Sequence, residues 1–227
     1  MDMKQLLFIL LGLLFSLSSF GQLNFIKQLQ AGKPQHMVVY GTSLSSGGHG
    51  EAWMHIVDKT ISAKYGSRLF SYSLAGKGGM WSTWGVQHLE DSVIAKRPDA
   101  MLIEFGMNDA FLKYKTPVAV ARLNLIYMID RIRLYNDSCD IVLQVMNMPI
   151  GKSAGYRPHL DAYYDMYRQV AKEKNTLLVD HYANWQKILQ QGEEVFRAYV
   201  PDGLHPNTKG GEEIIAPHIL QTLGLKK

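Results

Sequence analysis

The chain has 227 residues, of which 47% are apolar and 19% charged, the composition of a globular protein with one sizeable core. Its 24 basic and 20 acidic residues leave a net charge of +4. The basic residues are scattered and not interleaved with aromatics, so they read as a solvated surface and exclude a nucleic-acid groove.

The first segment in chain order lies outside the expected fold. Residues 1–4 form a short basic stretch, residues 6–17 are almost purely apolar, and Ser18, Ser19, Phe20 and Gly21 make a small-residue boundary before Gln22. This layout predicts a secretory signal peptide over 1–21. The apolar run is shorter than the ~20 residues of a membrane span, so no stable membrane insertion is expected after cleavage. Residues 22–227 are then one domain, exported to a bacterial periplasm or exterior. The single cysteine, Cys139, excludes an internal disulfide and a cysteine-based zinc site.

Beyond the leader, short apolar runs alternate with helical patterns. Residues 37–40 predict a buried strand and 51–65 a helix. Residues 69–74 predict a second strand, and 82–96 a helix ended by Pro98. A third strand is expected over 100–105, followed by a long helix over 117–135 with Pro117 in its first turn. Residues 141–146 and 176–179 predict strands four and five, with a helix over 160–174 between them and a closing helix after Pro206. This alternation predicts an α/β fold with a five-stranded parallel sheet covered on both faces. Ligand sites in such sheets lie beyond the carboxyl ends of the strands.

The strand ends carry the informative residues. Strand one runs into Gly41-Thr42-Ser43, strand two into Ala75-Gly76-Lys77-Gly78-Gly79, and strand three into Gly106-Met107-Asn108-Asp109. Near the C-terminus stands Asp202-Gly203-Leu204-His205-Pro206-Asn207. These four blocks, in this order, resemble the SGNH (GDSL-like) hydrolases over nearly the whole mature chain. Two positions depart from that pattern: Thr42 stands where an Asp is common, and Ser73 or Leu74 where an Asn ends strand two. The resemblance implies a flavodoxin-like three-layer α/β/α sandwich, no metal and no organic cofactor.

It also implies a catalytic Ser43, His205 and Asp202, with oxyanion donors from the Ser43 amide, a glycine of the second block and Asn108. Chemistry agrees, because a serine hydroxyl needs an adjacent base and the imidazole needs a carboxylate to fix its tautomer. Gly79, three residues before Ser82, matches the family register, with Gly78 and Gly76 as the alternatives. Trp81, Trp84 and Tyr156 are the candidate substrate contacts, with Arg157, His49 and His159 nearby.

Ser153 sits in a rival Gly-x-Ser-x-Gly motif, but no strand directly precedes it and no helix directly follows, as a nucleophile elbow requires. Asp109 reads as a cap or brace of its turn, and Glu104, alternating with its strand neighbours, as a brace of the sheet end. The expected activity is serine esterase chemistry, removing small acyl groups such as acetyl from a carbohydrate. A lysophospholipase or thioesterase, a non-catalytic carbohydrate-binding relative and acyl transfer to another sugar stand as the other readings.

Overall fold

A computed structural model describes residues 23–225; the expected leader lies outside them. Five parallel strands, β1 (Gln35–Gly41), β2 (Phe70–Leu74), β3 (Ala100–Glu104), β4 (Asp140–Val145) and β5 (Leu177–Asp180), form one sheet in the order β2-β1-β3-β4-β5. From Met37 to Gly41 and throughout β3 every residue is buried, as is all of β4 after Asp140. Strands covered on both faces need apolar side chains on both, which is why their sequences are continuous rather than alternating. The edge strands β2 and β5 are only half-buried beyond Phe70 and Val179.

Helices cover the two faces. On one, α2 (Gly47–Tyr65) packs against the closing segment Thr208–Thr222. On the other lie α3 (Ser82–Gln87), α4 (Val118–Tyr135) and α5 (Leu160–Glu173). A short first helix, α1 (Asn24–Gln30), closes the amino end of the sheet. This is the α/β/α sandwich the sequence predicts. Among the described residues no helix is long and apolar enough to cross a membrane.

Three local expectations change. The helix predicted over 82–96 breaks at His88 into α3, a turn at Leu89–Ser92 and a 3-10 turn at Ile94–Lys96. Val93 leaves helical geometry and Arg97 ends the segment in the left-handed region, so tertiary packing overrides the helical periodicity. Pro117 is the cap of α4, extended at ψ 150°, and not its first helical residue. α2 begins four residues early, at Gly47, directly after the nucleophile turn.

The order 2-1-3-4-5 places a topological switch point between β1 and β3, and clefts open at the carboxyl ends of strands there. Ser43 leaves β1 and Asn108 leaves β3 at that point. The β2 loop is drawn in beside them, since a Cβ on Gly76 would meet the Gly41 carbonyl oxygen at 2.6 Å. Only glycine permits that approach, and Lys77 N–H donates to the same carbonyl at 3.0 Å.

Candidate active site

Ser43 opens a 3-10 turn, Ser43–Ser45, whose geometry is set by Thr42 and Glu104. Thr42 donates its backbone N–H (3.2 Å) and its hydroxyl (2.7 Å) to Glu104 Oε2, and the same hydroxyl oxygen accepts Leu44 N–H at 3.2 Å. Ser45 adds a third donor to Glu104 at 3.3 Å. Thr42 therefore both caps the turn and ties it to β3. The Glu104 side chain is 1% exposed; burial pushes its pKa up to about 7, against the lowering effect of those hydrogen bonds.

The histidine comes from a turn whose conformation its aspartate makes. Asp202 Oδ1 accepts the backbone N–H of Leu204 (2.9 Å) and His205 (2.7 Å), and Oδ2 meets His205 Nδ1 at 2.6 Å. Gly203 adopts φ 75° between them, a left-handed conformation available to glycine. The turn is pinned from the β4 side by Ile150 N–H to Gly203 O (2.8 Å) and Asn147 Nδ2 to Leu204 O (3.0 Å). Burial tends to raise the Asp202 pKa, yet the hydrogen bonds from His205 and Leu204 hold the carboxylate below its ordinary value.

With Nδ1 carrying a proton to Asp202, His205 Nε2 is the free lone pair. It lies 2.9 Å from Ser43 Oγ. The structure thus brings together Asp202, His205 and Ser43, which are separated by up to 162 residues in sequence. The His49 ring stacks on the His205 ring, with centroids 4.9 Å apart and planes at 15°, and His49 Nδ1 lies 3.1 Å from the Pro206 carbonyl. That contact holds the imidazole plane from the side.

Asn108 sits in the one-turn helix Gly106–Asp109, directly after β3. Its Nδ2 donates to Met80 O at 2.8 Å and its Oδ1 accepts Arg157 Nη2 at 3.3 Å. One hydrogen of the amide remains available. Asp109 points the other way and accepts Ser82 N–H (2.9 Å) and Ser82 Oγ–H (2.8 Å), capping α3 from outside. Burial pushes Asp109 up to about 7, with the Ser82 bonds opposing.

Of the three glycines in the second block, Gly78 is the one brought against the nucleophile: a Cβ built on it would lie 3.6 Å from Ser43 Cβ. Gly79 takes φ 75° and turns toward Tyr114, whose hydroxyl donates to its carbonyl. The family register pointed to Gly79; the fold of the loop puts Gly78 closer. Among the described residues the N–H groups of Ser43 and Gly78 meet no protein acceptor.

The aromatic candidates separate. Trp81 stacks on Tyr114 at 4.4 Å, Tyr114 meets Phe111 edge-on at 5.5 Å, and Phe111 lies 5.6 Å from Tyr156. These four rings form a rim beside the Asn108 turn, with Tyr156 42% exposed. Trp84 is corrected: one helical turn beyond Trp81 it faces inward, packing on the buried Tyr40 ring (5.8 Å) and on His88 (4.5 Å). Sequence reading missed Tyr114, Phe111 and Asn147; the position of Asn147 just past β4 was the available signal. Ser153 lies in the short helical turn Lys152–Gly155, where its carbonyl accepts Arg157, and His205 is engaged by Ser43.

A family model described as GDSL-like lipase/acylhydrolase matches residues 39–212. The chain has no match among curated protein sequences. Among solved structures it is similar to an acetylxylan esterase of Geobacillus stearothermophilus, at 22% identity and a TM-score of 0.71 over 86% of this chain and 97% of that one. It is similar also to an alpha/beta hydrolase enzyme from the metagenome of Lake Arreo, at 20% identity, and to a putative GDSL-like lipase of Parabacteroides merdae, at 19%. Both have a TM-score of 0.71 over 86% of this chain and 97% of theirs. At these identities the neighbours establish the fold, and the family model, which spans most of the chain, settles the descent: the chain belongs to the GDSL-like lipase/acylhydrolase family of serine ester hydrolases.

Proposed function

We infer that this chain is an exported esterase that removes small acyl groups, acetyl foremost, from carbohydrates through an acyl-enzyme on Ser43. The observation that carries the reading is the unbroken relay from Asp202 Oδ2 to His205 Nδ1 (2.6 Å) and from His205 Nε2 to Ser43 Oγ (2.9 Å). Catalytic mutants of the Geobacillus acetylxylan esterase replace a serine, an aspartate and a histidine. In that esterase the aspartate precedes the histidine by three positions, the spacing of Asp202 and His205 here.

His205 Nε2 takes the hydroxyl proton as Ser43 Oγ bonds to the acyl carbon, and the carbonyl oxygen becomes an oxyanion. Donors already in place for that oxygen are the N–H groups of Ser43 and Gly78 and the free hydrogen of Asn108 Nδ2. As the carbon–oxygen bond to the sugar breaks, His205 returns the proton to the leaving alkoxide. A water then repeats the sequence with His205 as base, releasing the acid and freeing Ser43. Asp202 stabilises the imidazolium at both stages without taking its proton.

The Trp81–Tyr114–Phe111–Tyr156 rim supports a sugar substrate, because flat aromatic faces bury the apolar faces of pyranose rings. Residues 1–21 would direct export, and the mature protein should then begin near Gln22 when sequenced from a secreting host. The deciding experiment compares acetate release from acetylated xylan with hydrolysis of p-nitrophenyl esters of increasing chain length. Acetyl preference with release from the polysaccharide is the expected result; preference for long acyl chains would assign the lysophospholipase reading instead.

A further inference from the structure

Arg157 is buried in an unusual way. Its side chain is 6% exposed, yet among the described residues no carboxylate lies within 4 Å of its guanidinium. Glu104 is the acid that faces it through the interior, beyond ion-pair distance. A cation removed from water without a partner charge is costly, and here only neutral oxygens receive it. Nε donates to Met107 O (2.9 Å), Nη1 to Ser153 O (3.2 Å) and Nη2 to Asn108 Oδ1 (3.3 Å), while the guanidinium lies 4.7 Å over the Phe111 ring.

Two of those acceptors belong to the turn that carries Asn108. The logic of donors and acceptors then fixes that amide. Arg157 only donates, so it must face Oδ1; Met80 O only accepts, so it must face Nδ2. A flipped amide would set two donors against each other and two acceptors against each other. The guanidinium also draws electron density toward Oδ1, which strengthens the remaining Nδ2 hydrogen as a donor.

We propose that Arg157 is a positioning residue for the oxyanion site, acting through the Asn108 side chain rather than by touching substrate. It holds the amide in its donating sense and polarises the free Nδ2 hydrogen. The short helical turn Lys152–Gly155, which the Gly-x-Ser-x-Gly motif occupies, serves here to aim that arginine: Arg157 N–H closes on Ala154 O at 2.8 Å and Ser153 O takes one of its side-chain donors. The proposal rests on the esterase reading of the same site.

A double-mutant cycle tests it, with steady-state rates on p-nitrophenyl acetate for Arg157→Met, Asn108→Ala and the pair. Arg157→Met should lower kcat roughly 10- to 100-fold, as loss of one charge-assisted hydrogen bond does, with KM within about twofold. Asn108→Ala should cost about 10²- to 10³-fold, and adding Arg157→Met to it should cost nothing more. Multiplying losses, a loss carried by KM, or an inert Asn108→Ala each overturn the proposal. Where circular dichroism and a thermal melt show Arg157→Met unfolded, Arg157→Lys takes its place, keeping the charge while unable to span the three acceptors. Ser43→Ala is run beside them: full activity there removes the esterase reading and this role with it. A dead Ser43→Ala with multiplying losses removes the role of Arg157 alone.

Discussion

The two ends of the sheet use the same kinds of residue for opposite ends. At the amino end, acids close hydrogen bonds. Asp99 accepts His36 N–H at 2.8 Å, Asp140 accepts Phe25 N–H at 2.7 Å at the start of α1, and Asn136 donates to Pro98 O at 3.1 Å. Each of these donors meets an acceptor inside the fold. At the carboxyl end, Glu104 and Asp109 also brace turns, but the turns they brace hold the Ser43 and Gly78 N–H groups, one Asn108 hydrogen and the Ser43 hydroxyl toward an open position. Ser43 is half-buried and Gly78 exposed, so water can serve these donors until a substrate oxygen replaces it, whereas a donor stranded in the interior would be costly.

The comparison is broken most forcefully at Ser43. Ser43→Ala and His205→Ala should each lower kcat by about 10⁴-fold or more, because nucleophile and base act as one unit. The melting temperature should stay within the spread of ordinary surface substitutions. Asp202→Asn should retain activity roughly ten- to a hundredfold above either. Rates on p-nitrophenyl acetate beside a calorimetric melt decide this; substantial activity in Ser43→Ala would refute the assignment of the carboxyl edge.

How much of this contrast was legible in the sequence follows from what each residue depends on. The strands were legible because central parallel strands must be apolar on both faces, as residues 37–40 and 100–103 are. Ser43 and Asn108 were legible because a strand end is a local feature and the sheet rule says where strand ends point; His205 lies well past β5 and was legible only through the Asp202-Gly203-Leu204-His205-Pro206-Asn207 block. Trp84 was misplaced because the helix pattern over 82–96 does not say which helix face meets the core; Trp81 is the extended cap outside α3, while Trp84, inside the helix, packs on Tyr40. Gly78 could not be separated from Gly79 because the choice depends on how the loop folds against Gly41. Arg157 and His49 act through contacts of long range, with Asn108 and His205, which no local pattern encodes.

Glu104 sharpens the comparison, because its brace is charged and buried. An acid whose folded pKa is raised binds its proton more tightly when folded, so ionising it destabilises the fold. Stability should fall as pH rises from the unfolded value of 4.5 to the folded value of about 7, by roughly 3 kcal/mol for a shift of that size. Above that window the loss is complete, and below it absent. Glu104→Gln keeps an oxygen for Thr42 and Ser45 but carries no charge. Denaturant melts across that window should be flatter for this variant than for the parent, with the slope from Asp109 remaining. An unchanged slope would mean that Glu104 does not titrate there.

The amino edge supplies the smallest effect and the control. Asp140→Ala leaves Phe25 N–H, at the first turn of α1, without its 2.7 Å acceptor. Losing such a cap costs about 1 kcal/mol, partly offset because burial raises the Asp140 pKa and the substitution removes that buried charge. A denaturant melt should therefore shift by about 1 kcal/mol or less near neutral pH, while kcat and KM stay at the parent values. Asp140 stands at the opposite end of β4 from Asn147, Ile150 and Arg157, so a change in kcat there would mean that the two edges are mechanically coupled through the strand. Their separation into a closed end and a working end would then fail.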